Sequence, residues 1–209
     1  MSRKDGFLAL LVVVVWGLNF VVIKVGLHHM PPLLLAGLRF LLVAFPAIFF
    51  VARPKVPLTL LLGYGLTISF GQFAFLFCAI KFGMPAGLAS LVLQAQAFFT
   101  MALGAFVFSE RLQRKQLAGI ALVWSALIPI LPFLLSSLLL EGADHITQSL
   151  ITIDMTTILS LLYLAFVATI LGYGIWGALL GRYETWRVAP LSLLVPVVGL
   201  ASVIAADLS

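Results

Sequence analysis

Charge is what this sequence has least of. Of its 209 residues only 9% are Asp, Glu, Lys or Arg, where a soluble domain carries about 25%. That shortage excludes a solvated globule and a disordered tail. Cysteine is scarcer still. Cys78 stands alone inside an apolar run, so a disulfide scaffold is excluded and nothing follows about redox compartment. Carboxylates number seven, and none falls at the centre of an apolar segment. The usual intramembrane proton carrier is therefore missing. No GxxxxGK[ST] phosphate loop, HExxH helix, Ser/His/Asp set or paired carboxylates occur. ATP hydrolysis by this chain and intramembrane catalysis are not expected, and neither is a cofactor or a metal.

The 12 basic residues exceed the acidic ones by five, but they sit in short clusters between apolar runs rather than along one face. They read as orientation signals, so no nucleic-acid partner is expected. What is abundant is apolar surface: 63% of the residues are hydrophobic and the mean hydropathy is +1.22. A hydrocarbon core of about 30 Å takes about 20 helical residues. On that ruler seven segments stand out, at 7–27, 32–52, 57–80, 86–108, 117–140, 155–180 and 188–206. They lack period-2 alternation, and backbone groups in lipid must be satisfied within the segment, so the expected fold is an all-α membrane protein with about seven transmembrane helices. The first apolar stretch runs on to Leu27 and is too long for a secretory h-region.

Lys and Arg near helix ends stay in the cytoplasm. Arg3, Lys4, Arg53, Lys55, Arg111, Arg114, Lys115, Arg182 and Arg187 fall on one side of the alternation, against Lys24 and Lys81 on the other. The loop from Glu141 to Asp154 carries three carboxylates and no cation. The expected topology is a cytoplasmic N-terminus and, after seven crossings, a periplasmic C-terminus.

The chain also matches itself. A shift of 99 residues lays the third and fourth segments over the sixth and seventh, with Phe77 on Trp176, Ala79 on Ala178 and Ser90 on Ala189, and a shift of 86 brings Pro46 onto Pro132. A displacement of three helices is odd, so the second copy is inverted in the membrane, the arrangement of many secondary transporters, whose substrate site lies between the halves. The second copy is incomplete. Residues 1–122 form the first repeat and 123–209 a partial second one.

Several motifs run together: Val15-Trp16-Gly17-Leu18-Asn19-Phe20, then Lys24, a Pro31-Pro32 helix start, Arg39, Ser109-Glu110-Arg111-Leu112, and Gly172-Tyr173-Gly174-Ile175-Trp176. In these the chain resembles the EamA domain of the drug/metabolite transporter superfamily. The resemblance implies ten helices in two inverted five-helix halves, so this chain would be an incomplete inverted-repeat bundle, with helices missing between Leu122 and Val123 and after about Ser202. It also implies a bacterial inner-membrane exporter of small amino-acid metabolites, such as O-acetylserine and cysteine, working by alternating access. The missing pieces leave a second reading open, a membrane protein that inserts but transports nothing. A third is repair by pairing with a second copy, a homodimer.

Candidate substrate-binding residues are the polar ones within the segments. Arg39 lies about 12 Å along its helix from Pro31, where an ionised group costs about 2.5–3.5 kcal/mol on insertion scales. A guanidinium there can clamp a substrate carboxylate bidentately, or it can simply bond a helix end or a neighbour's polar side chain. Trp16 and Asn19 share a helix face at i and i+3 and offer an indole and an amide to a zwitterion; Asn19 can equally make an interhelical bond. Lys24 is a further candidate, though close enough to the helix end to snorkel. Gln94 and Gln96 sit at mid-depth but face about 200° apart, so at most one can point into a given pathway. His28 and His29 read as a polar turn. Gly172, Gly174, Gly177 and Gly181 suggest a small face for close packing, and Pro129, Pro132 and Pro196 suggest kinks. The expected partners are a small-molecule substrate and the lipid bilayer.

Overall fold

The structure, a computed structural model, describes residues 1–50, 57–94, 126–183 and 185–207. Arg53, Lys55, Gln96, the Ser109-Glu110-Arg111-Leu112 motif, Arg114, Lys115 and the Leu122–Val123 junction lie outside the described residues. Helices account for every regular element among those described. They are α1 (Arg3–Gly26), α2 (Pro32–Phe50), α3 (Leu58–Tyr64, continuing through a π-helical segment Gly65–Gly71 into Gln72–Lys81), α4 (86–94), α5 (Ile130–Leu140) and α6 (Ala143–Ile151). After these come α7 (Met155–Leu162, a π-helical segment Tyr163–Leu171, then Gly172–Arg182), α8 (Thr185–Val188) with a 3₁₀ segment Ala189–Leu194, and α9 (Val195–Asp207). This is an all-α membrane protein, as its composition led us to expect.

Length and apolarity set which helices can cross a bilayer unaided. Among the described residues Arg3–Gly26, Leu61–Lys81 and Met155–Arg182 qualify, and the bent pair Ile130–Leu140 with Ala143–Ile151 would make a fourth. Pro32–Pro46 and Pro190–Ala205 are apolar but shorter; the expected fourth and fifth segments run into residues outside the description. Many large side chains face outward, Phe75 at 80% and Phe82 at 85% exposure among them. A soluble monomer does not tolerate so much exposed apolar surface, whereas lipid solvates it.

Helix α1 is the axis of the bundle. Its 24 residues reach about 36 Å, and it buries Val12, Val13, Phe20 and Ile23 against α7 and α9. The approach of α9 depends on Gly17, where a Cβ would stand 2.5 Å from Val198 Cγ1. Helix α2 packs on α5 and α3 through the rings of Phe40, Phe73 and Phe133, whose centroids lie 5.5–5.7 Å from that of Phe40.

Polar contacts pin both ends of this core. At one end Ser2 caps α1 by accepting the Asp5 N–H, and the Asp5 carboxylate meets Arg182 Nη1 at 3.2 Å and the Tyr183 hydroxyl at 2.7 Å. At the other end Lys81 Nζ donates to the Leu27 carbonyl at 2.6 Å, and Glu141 accepts the N–H groups of Leu33 and Leu34 at 2.7 and 3.2 Å.

Three expectations need correction. The segment after Glu141 is not a plain loop: Gly142, at φ +83°, turns the chain by 108° into α6. There Ile146 packs on the core while Asp144, His145, Thr147 and Gln148 stay exposed. A helix this short and half polar escapes a ruler set for membrane crossings. Two of the prolines lie at a helix start rather than within one. Pro129 precedes α5 and Pro132 lies in its first turn, where a missing N–H leaves no intrahelical bond unmade, while Pro196 follows the junction of the 3₁₀ segment with α9. The small face on α7 is used at one point only: a Cβ on Gly172 would meet Trp16 Nε1 at 2.7 Å, whereas at Gly174, Gly177 and Gly181 no described atom lies within 4 Å.

Candidate functional site

A cavity of about 190 Å³ lies inside the bundle where α1, α2, α3, α4 and α7 meet the start of α9. Helix α1 supplies Trp16, Asn19 and Phe20; α2 supplies Arg39; α3 supplies Gln72, Phe73 and Leu76. The wall is completed by Ser90, Leu93 and Gln94 from α4, Tyr173 from α7, Ser192 from the 3₁₀ segment and Val195. Four of the six sequence candidates thus come together: Trp16, Asn19, Arg39 and Gln94. Lys24 is exposed and does not line the cavity, and Gln96 lies outside the described residues.

Arg39 is 3% exposed. Its Nε and Nη2 both donate to Thr169 Oγ1, at 3.1 and 2.8 Å, and its Cζ lies 4.5 Å from the centre of the Phe73 ring. The contact with a ring face offsets part of the cost of burying the charge. Nη1 has no hydrogen-bond partner among the described residues. Both readings of this arginine therefore find something in the geometry: two nitrogens are tied to a neighbour's hydroxyl and one is not. Thr169 takes the Nε/Nη2 edge of the guanidinium and leaves its other fork, the Nη1/Nη2 end, unengaged by that hydroxyl. Asn19 Oδ1 is likewise buried and without a described partner, so a donor and an acceptor in the wall are both unmatched. A buried polar group left unpaired costs about 1–3 kcal/mol, and in this arrangement both atoms are closed off behind the cavity surface.

The Trp16 indole has a different role from the one its position suggested. Its N–H donates to the Ala168 carbonyl at 3.0 Å, and its ring stands 5.0 Å from Tyr173 and 5.3 Å from Trp176. It offers the cavity an aromatic wall, with its donor spent on α7. Gln94 Nε2 donates to Ser192 Oγ at 3.3 Å, tying α4 to the 3₁₀ segment. No carboxylate lines the cavity, and Arg39 is its one fixed charge among the described residues. In so apolar a surrounding that charge is weakly screened.

Two π-helical segments flank the site. The Gln72 N–H reaches back five residues to the Thr67 carbonyl, and the Gly172 N–H five residues to that of Val167. Shifted by the 99 residues of the internal match, Gly65–Gly71 falls on Tyr163–Leu171 to within one residue at each end. Such segments are rare and concentrate at functional sites. Gln72, directly after one segment, and Tyr173, two residues after the other, were not among the sequence candidates. Gln72 is the one amide in an apolar helix, and Tyr173 stands between two glycines. Those were the available signals.

A profile of the EamA-like transporter family matches residues 5–131. The chain belongs to the EamA-like transporter family. It is similar to two proteins described as probable amino-acid metabolite efflux pumps: one of Salmonella typhimurium at 78% identity and one of Escherichia coli at 67%. Each alignment covers 97% of this chain and 86% of the relative. An uncharacterized transporter of Bacillus subtilis, YoaV, is 28% identical over 52% of this chain and 39% of its own length. No solved structure matches. The alignments with the two pumps extend over 258 positions, more than the 209 residues present here. This EamA-family chain therefore lacks a stretch that those relatives carry, as the repeat arithmetic led us to expect. Family membership places the cavity in a transporter rather than an enzyme.

Proposed function

We propose that this chain is a bacterial inner-membrane efflux transporter of small amino-acid metabolites, O-acetylserine and cysteine among them, and that the cavity around Arg39 is its substrate site. The carrying observation is the wall itself, which among the described residues has one buried cation, no carboxylate and a buried amide oxygen without a partner. Such a wall suits a small solute with a carboxylate and an amine. At about 190 Å³ the cavity falls below the roughly 300–1,000 Å³ of drug-sized pockets, which favours a metabolite of a few heavy atoms. The names of the two pumps agree with that substrate class.

Alternating access between inverted halves is the mechanism we infer. The matched π-helical segments of α3 and α7 support the repeat on which it rests. A cytoplasmic N-terminus is supported by Arg3 and Lys4 lying at the same end of the bundle as Arg182, which Asp5 bonds.

The stretch absent relative to the pumps favours a second reading, in which the chain inserts but no longer transports, or transports only as a homodimer that closes the gap. The deciding experiment is accumulation of O-acetylserine and cysteine in the medium of expressing cells, against empty vector, normalised to chain in the membrane. Export above the vector supports the first reading, and cross-linking then separates monomer from dimer. Background export at good membrane levels supports the second.

A further inference from the structure

Helix α1 is clasped at its two ends by the final turns of α3 and α7, the two helices that match each other in sequence. At its start the Asp5 carboxylate accepts the Tyr183 hydroxyl at 2.7 Å and Arg182 Nη1 at 3.2 Å, and the Ser2 N–H donates to the same Tyr183 oxygen at 3.0 Å. At its finish Lys81 Nζ donates to the Leu27 carbonyl at 2.6 Å, where a cation also meets the negative end of the helix dipole. Lys81 is the last residue of α3 and Arg182 the last of α7. The cavity lies between the clasps: Trp16 is eleven residues from Asp5 and Asn19 eight from Leu27, about 16 and 12 Å along the helix. Both cations reach water, Arg182 with 65% of its side chain exposed and Lys81 at its helix end. Either clasp can therefore open without stranding a buried cation, and Asp5 keeps the Ser2 hydroxyl at 2.7 Å. Packing separates the two ends as well. Leu27 and Ile80 belong to the main core, whereas Ala9, Leu179 and Val188 form a small cluster of their own beside the Asp5 clasp. Between them α1 and α7 are joined at the π-helical segment, where the Tyr163 hydroxyl donates to the Val15 carbonyl at 2.9 Å and the Trp16 N–H to that of Ala168 at 3.0 Å.

We propose that the two clasps are the gates of alternating access: Asp5 with Arg182 and Tyr183 shuts the cavity toward the start of α1, Lys81 with Leu27 shuts it toward the finish, and one opens only while the other is closed. The inference rests on the transporter reading above and deepens it. In an inverted repeat the movement that opens one end closes the other, and here the paired helices α3 and α7 hold opposite ends of one helix. The join at the π-helical segment gives α7 a point about which its last turns can leave α1. Only the cluster of Ala9, Leu179 and Val188 has to part for that, while the main core stays packed. With both clasps made, the structure is the closed state through which such a cycle passes.

The test uses the full chain in membranes, with Cys78→Ser throughout and Gln72→Cys as a thiol in the cavity wall. An impermeant maleimide is applied to right-side-out spheroplasts and to inside-out vesicles, and the ratio of labelling from the two sides is read. Asp5→Ala is expected to shift that ratio about tenfold toward the side of the α1 N-terminus, the effect of losing a charge-assisted hydrogen bond from one of two states. Tyr183→Phe, a milder change, is expected to move it the same way should Asp5→Ala not reach the membrane. Lys81→Met is expected to move it about tenfold in the opposite direction, and the double variant of Asp5→Ala with Lys81→Met to return it close to its starting value. A merely structural role would raise labelling from both sides alike. That result, a shift in one direction for both single variants, an unchanged ratio, or a thiol that reacts from neither side in any chain overturns the inference. Opposite shifts in a chain that exports nothing would leave the clasps standing without transport. Export by the wild type with an unchanged ratio in both single variants would do the reverse.

Discussion

The Glu141 carboxylate accepts the Leu33 N–H at 2.7 Å and so closes the start of a helix 108 positions away in sequence. Helix α2 begins Pro31-Pro32, two residues with no N–H to offer, so Leu33 and Leu34 carry its first free donors, and both find Glu141. The Ser137 hydroxyl donates to the same carboxylate. An anion at a helix N-terminus gains from the helix dipole as well as from the hydrogen bonds.

Glu141→Ala should therefore cost about 1 kcal/mol of stability, seen as a fall of roughly 2–4 °C in the unfolding midpoint of the purified chain. Glu141→Gln, which keeps an acceptor without the charge, should fall between. Equal midpoints for all three chains would mean that the cap does not hold α2.

Gly17 and Gly174 make a matched pair for packing. A Cβ at Gly17 would be 2.6 Å from Val198 Cβ and 3.1 Å from the Gly199 nitrogen, atoms that cannot swing away, while no described atom lies within 4 Å of one at Gly174. Gly17→Ala should push α9 off α1 at a cost of about 1–3 kcal/mol. Gly174→Ala should be neutral or slightly stabilising, since alanine suits a helix better. Thermal unfolding of the two variants in one detergent checks this, and a larger loss from Gly174→Ala would show the packing to be misassigned.

Membrane orientation can be read with thiol labels, because Cys78 is the one cysteine of the chain. In a Cys78→Ser background, a cysteine at exposed Thr147 in α6 should react with an impermeant maleimide on intact spheroplasts. One at Ser2 should react only after lysis. The opposite pattern would invert the topology drawn from the basic clusters.

What could be foreseen follows from how local each feature is. The apolar runs needed only a length ruler, so α1, α3 and α7 lie where the segments 7–27, 57–80 and 155–180 were drawn. Trp16 and Asn19 were placed on one helix face by spacing alone, and Arg39 stood out because a buried guanidinium is costly anywhere in an apolar helix. Thr169, Gln72 and Tyr173 were not legible in the same way. Their roles depend on the π-helical register, which shifts the side chains following it around the helix, and nothing in a 3.6-residue period announces that shift. Glu141 was read as a loop charge because its partners, the Leu33 and Leu34 amides, are distant in sequence. Gly177 and Gly181 misled for the converse reason: a small-residue stripe permits close packing, but a neighbour must arrive to use it.

The central claim is that the cavity at Arg39 is the transport site, and export by variants of its wall tests it most directly. O-acetylserine released per unit of chain in the membrane should fall at least about tenfold in Arg39→Ala and Asn19→Ala, because each removes a charge-assisted contact with the solute. Lys24→Ala, altered at an exposed residue outside the cavity, should export as the wild type does. Wild-type export from Arg39→Ala at equal membrane levels would contradict the account and move the substrate site elsewhere in the chain.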